Sequence, residues 1–138
     1  MATTKTTLPS KTITCTINRP TNDVYEFVSN PKNLPRWVRS FCQSVRRIGD
    51  QWQMETPSGW LGIQFVSMNE FGVLDHVVTL PDGRSYLNPM RVVTNGVGSE
   101  VMFTLFQYPD MSDEQFEKDA AMVEADLRAL KETLEGER

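Results

Sequence analysis

The stretch Ser112 to Glu135 constrains the fold of this chain more than any other. Phe116, Ala120, Val123, Leu127, Leu130 and Leu134 recur at alternating steps of four and three, the spacing of one helical stripe. Ser112 stands at the N-cap position and Gln115 three residues later completes a capping-box pattern. Asp113 and Glu114 place negative charge where the helix dipole favours it. Glu114 with Lys118, and Glu124 with Arg128, form i,i+4 pairs worth roughly 0.2–0.5 kcal/mol each. Burying one Leu or Val contributes about 1.5–3 kcal/mol, so packing of the stripe decides where the helix sits. No earlier segment is long and helical enough to partner it. The strands before it must supply the surface.

At 138 residues and a formal net charge of -4, the chain suits one domain and lacks the basic surface of a general nucleic-acid binder. We expect a flexible tail over 1–10, where Met1 to Ser10 is Thr-rich without the apolar core of a secretory signal, and a single domain over 11–138. No run is long enough to span a membrane, and a cytoplasmic location is the expectation. Cys15 and Cys42 read as free thiols. With one histidine and no paired cysteine spacing, neither a metal nor another cofactor is proposed.

Thr12 to Asn18 alternates as a half-buried strand, with Ile13, Cys15 and Ile17 on one face. After Arg19-Pro20, Thr21 or Asn22 is placed to cap a short helix running to about Ser29, with Val24, Phe27 and Val28 inward. Pro31 to Val38 holds only a turn or so of helix, because Pro35 removes a donor. Six further strands are expected near 42–48, 51–56, 60–68, 73–80, 84–94 and 99–108, each bounded by Gly-, Pro- or Asn-rich turns. Residues paired in an antiparallel ladder share a face. Parity around three hairpins then collects Trp52, Met54, Leu61, Ile63, Phe65, Leu74, His76, Val78, Met90, Val92, Val101, Phe103 and Leu105 on one face. A three-residue loop Pro81-Asp82-Gly83, with Gly83 in the left-handed region, preserves that parity. Pro89, inside a strand, implies a bulge or an edge.

This order resembles the START-like superfamily, also called SRPBCC, and within it the polyketide cyclase/dehydrase-like proteins. The residues carrying the resemblance are Arg19 to Phe27, Leu34-Pro35-Arg36-Trp37, Val73 to His76, Asn88 to Val93, and Gly98 to Phe106 leading to Met111-Ser112-Asp113-Glu114. The resemblance implies an α+β helix-grip fold: a curved seven-stranded antiparallel sheet around a long C-terminal helix, with two short helices after the first strand. It also implies an apolar cavity between helix and sheet. It supplies no catalytic motif, because the superfamily holds lipid carriers, hormone receptors and cyclases.

His76 is the single histidine and falls on the concave face, as a neutral core residue, a ligand contact or a general acid/base. No acidic residue shares its face, and Asp75 points the opposite way. Tyr86, Asn88 and Gln107 share the face and are placed either to orient a ligand or to reach water at its mouth. Trp37 is placed to line an entrance or to pack under its helix. Phe116, Ala120, Val123 and Leu127 face the cavity from the helix. The expected ligand-binding set is therefore Trp37, Trp52, Ile63, Phe65, His76, Val78, Tyr86, Asn88, Met90, Phe103, Leu105, Phe116, Ala120, Val123 and Leu127. Lys32, Arg36, Arg39, Arg46 and Arg47 form a local basic cluster, either an anion receptor or a solvated face. Three functions are carried forward. The first is binding of a small hydrophobic or aromatic molecule. The second is a cyclase, dehydratase or isomerase using His76. The third is a filled-core interaction domain, with no cavity above about 300 Å³. The partner is a small apolar molecule. Oligomeric state stays open, a homodimer included.

Overall fold

In the computed structural model, which describes residues 6–136, the apolar stripe lies on helix α3, Asp113–Gly136. Ser112 Oγ accepts the Gln115 backbone N–H at 3.0 Å, as an N-cap should. The reciprocal half of the capping box does not form: the Gln115 amide donates to Asp119 Oδ1 at 2.7 Å instead. Phe116, Ala120, Leu127, Leu130 and Leu134 are buried and Val123 is half-buried. Neither expected helix ion pair closes. Among the described residues, the i,i+4 pair on α3 is Lys131–Glu135 at 2.7 Å.

Strand β1, Ser10–Ile17, precedes helix α1, Thr21–Ser29. Ser10, expected in the tail, opens β1, and Pro9 O accepts from Gln107 N at 2.9 Å; residues 1–5 of the expected tail lie outside the described residues. Pro20, not Thr21 or Asn22, occupies the N-cap of α1, and no side chain caps it. A 3-10 turn over Pro31–Asn33 and the single-turn helix α2, Leu34–Trp37, follow. The remaining strands are β2 Ser44–Ile48, β3 Gln51–Thr56, β4 Gly59–Phe65, β5 His76–Thr79, β6 Ser85–Asn88, β7 Met90–Asn95 and β8 Gly98–Phe106.

The registers follow parity. Trp52 faces Ile63, Met54 faces Leu61, Phe65 faces His76, Met90 faces Phe103 and Val92 faces Val101. Leu80 N donates to Arg84 O at 2.8 Å, closing the loop Pro81-Asp82-Gly83 with Gly83 at φ 94°. The strand count differs from the expected seven. Eight strands form two sheets, ordered β1-β8-β7 and β2-β3-β4-β5-β6. The division falls at Pro89, a residue without an N–H, where β6 becomes β7.

Of the two expectations for Pro89, a bulge or an edge, the edge holds: it joins β6 and β7, each the edge strand of its sheet. Val73 faces Arg91 and His76 faces Asn88, three residues on along each strand, so nothing is inserted between them. Leu74 N still donates to Met90 O at 2.8 Å, and Val92 N to Gly72 O at 2.9 Å. The Met90 N–H, however, goes to Asp75 Oδ1 at 2.8 Å, which leaves the Leu74 carbonyl off the ladder.

Gly72 has φ 71°, and a Cβ there would collide with the Val92 carbonyl oxygen. Gly96 has φ 60° but open space around it. Gly72→Ala is therefore expected to cost about 2 kcal/mol or more in urea unfolding, against about 1 kcal/mol for Gly96→Ala. Equal losses would mean that the 72–92 contact yields easily.

Candidate functional site

Strand pairing builds the concave face in rows. Trp52, Ile63, Val78 and Tyr86 form one, and Phe65, His76 and Asn88 the next. Ile63, His76, Met90 and Phe103 are buried, while Trp52, Phe65, Val78, Tyr86, Asn88 and Leu105 are half-buried. Helix α3 lies mainly along β1, with contacts to β8 and α2. The half-buried side chains of β3 to β6 form an apolar face beside these contacts, the candidate trough.

His76 is 5% exposed at the centre of this face. Its ring lies 4.9 Å from that of Phe65 and 5.5 Å, edge-on, from that of Phe103. Nδ1 is 3.0 Å from the Leu74 carbonyl oxygen. A carbonyl only accepts, so Nδ1 carries the proton and Nε2 of the neutral ring keeps its lone pair. Desolvation pushes the imidazole below its ordinary pKa, outweighing the Leu74 bond and the Asp75 charge, which act the other way. Asp75 is committed elsewhere. Its carboxylate accepts from Arg91 at 3.0 and 3.1 Å and from Met90 N, and the Arg91 bonds hold it below the usual carboxylate range.

Other expected residues divide. Trp37 does not line an entrance. It is 3% exposed within the core, where α2 packs it. Its Nε1 is the one fully enclosed side-chain N or O atom among the described residues with no partner, an arrangement costing about 1–3 kcal/mol. Gln107 braces the entry to α3, donating to Met111 O at 3.0 Å and Asp113 Oδ1 at 2.8 Å. The Tyr86 ring meets Tyr108 edge-on at 4.9 Å. The basic cluster disperses: Arg46 lies over Trp60, Arg36 over Phe27, and Arg39 donates to Thr133. Cys15 and Cys42 are free thiols, and burial pushes the Cys42 thiol up to about 11, away from thiolate chemistry.

Two concavities are lined by residues other than those of β3 to β6. One, about 470 Å³, lies between β1 and α3, lined by residues that include Ile13, Thr14, Glu117 and Ala120. The other, about 290 Å³, lies beside the 69–72 loop against Tyr25 and Val92. Asn69 ties that loop internally, accepting from Phe71 N and Val73 N at 2.9 and 3.1 Å, and leaves Phe71 82% exposed.

A polar contact that sequence reading passed over is Asp126. Buried on α3, it accepts from Ser40 N at 3.0 Å and Ser40 Oγ at 2.6 Å, clasping the segment after α2 to the helix. Burial pushes its carboxyl up, against the pull of both Ser40 bonds. The signal was present: Asp126 stands three residues after Val123 and four before Leu130, on the apolar stripe itself.

No protein-family model and no curated protein sequence matches the chain. Solved structures match its fold. Ara h 8.0201 superposes with a TM-score of 0.71 at 13% identity, covering 94% of this chain and 99% of that one. The Aha1 dimer protein from Colwellia psychrerythraea gives 0.72 at 12%, covering 92% and 96%. CalU16 from Micromonospora echinospora gives 0.66 at 14%, covering 94% and 76%. The fold is that of the START-like, or SRPBCC, proteins, with antiparallel sheets gripping a long C-terminal helix.

Because the imidazole is held neutral, the unfolded chain binds more protons at this position below its ordinary value near 6.5. Stability contributed by neutral His76 is present above that value and lost as pH falls through the lower folded value. Urea unfolding between about pH 7 and pH 5 should show a steeper acid loss for wild type than for His76→Phe. Equal slopes would show that the ring titrates as freely in the fold as outside it.

Proposed function

We propose that this protein binds a small, uncharged hydrophobic or aromatic molecule in the trough between α3 and the concave face of β3 to β6. The observation that carries this reading is the half-burial of Trp52, Phe65, Val78, Tyr86 and Leu105 around a buried His76. Apolar side chains converging on one precisely directional polar atom are what a small-molecule site requires. A filled core would seal such residues, and an ordinary surface would not collect them on one face.

Recognition suits His76 better than proton transfer. No carboxylate orients the ring, and desolvation weakens it as a base. Among the described residues, no helix is long and apolar enough to cross a membrane.

A naphthalene-type fluorophore tests the location. It should bind wild type with micromolar affinity, and Val78→Arg should weaken it by about tenfold or more, by placing an unpaired charge against the apolar face. Phe71→Ser, which removes the most exposed phenylalanine of the distant loop, should leave binding unchanged. Loss with Phe71→Ser and retention with Val78→Arg would move the site out of the trough.

A further inference from the structure

We infer that the molecule held in the trough is a neutral aromatic hydroxyl compound whose O–H donates to Nε2 of His76. This rests on the binding reading above and specifies its chemistry. Pro89 interrupts the strand, Asp75 Oδ1 takes the Met90 N–H at 2.8 Å, and the Leu74 carbonyl is left to accept from Nδ1 of His76 at 3.0 Å. The tautomer is therefore fixed by the backbone, and Nε2 offers a lone pair and nothing else.

Among the described residues Nε2 makes no hydrogen bond, although the ring that carries it is 5% exposed. An acceptor so nearly enclosed and unpaired lacks a donor, which a ligand reaching it would supply. A ligand carbonyl or carboxylate would meet lone pair with lone pair there. A carboxylate would also lack a counter-charge, because Arg91 is held by Asp75 away from the ring. A hydroxyl satisfies the atom. The rings of Phe65 and Phe103 on either side favour an aromatic body behind that hydroxyl. A phenol is too weak an acid to protonate a desolvated imidazole, so the contact stays a neutral hydrogen bond.

Calorimetric titration with 2-naphthol and with 2-methylnaphthalene, which replaces the hydroxyl by a methyl group, tests this. Wild type should prefer 2-naphthol by about fivefold, and His76→Phe should abolish the preference while still binding the hydrocarbon. Equal binding of the two probes by wild type, or preference for the methyl compound, overturns the hydroxyl assignment and leaves the trough standing. Binding of neither probe overturns both. Nitrogen-15 spectra of the wild-type imidazole give a check that needs no variant. The proton should reside on Nδ1 in the free protein, and the Nε2 resonance should move toward its hydrogen-bonded position with 2-naphthol. A proton on Nε2 in the free protein overturns the inference whatever binds.

Discussion

The packing of the α3 stripe on one side of the sheet is the constraint from which the rest follows. Leu127 and Leu130 are 1% and 0% exposed, and the Cys15 thiol reaches the Leu127 carbonyl from β1 at 3.7 Å. Each such side chain contributes about 1.5–3 kcal/mol by burial, so α3 is held where the stripe meets β1 and β8. The Asp126–Ser40 clasp then draws the segment after α2 onto the helix's other flank. A helix placed this way does not cover the whole concave face. What it leaves is the row from Trp52 to Tyr86.

Pro89 is the second determinant, and its effect is chemical more than geometric. It lies where the two sheets divide without changing the register, and beside it the Asp75 carboxylate takes the Met90 N–H that would otherwise pair with the Leu74 carbonyl. That carbonyl sets the proton on His76.

Much of this was legible because strand parity and helix period are strict. The pairs Phe65–His76 and Met90–Phe103, and the burial of five of the six stripe residues, follow from counting. What counting does not reach is how long polar side chains choose partners. Asp75 and Asp126 accept from backbone donors 15 and 86 residues away, while Asn69 closes its own loop onto Phe71 N and Val73 N. Of the two positions open to Trp37, an entrance or the space under its helix, the short α2 selects the second and turns the indole fully inward. Glu114–Lys118 and Glu124–Arg128 were spaced to pair, but exposed pairs of this kind gain too little to fix two long side chains.

The central claim is that the stripe of α3 is closed against the core while the concave face around Val78 and Leu105 stays open to a ligand. Methyl NMR with a soluble paramagnetic relaxation agent tests it directly, by ranking solvent access across the face. The Val78 and Leu105 methyls should broaden strongly while those of Leu127, Leu130 and Val101 stay sharp. Val78 methyls as protected as those of Leu130 would show a closed, filled interior and contradict the account.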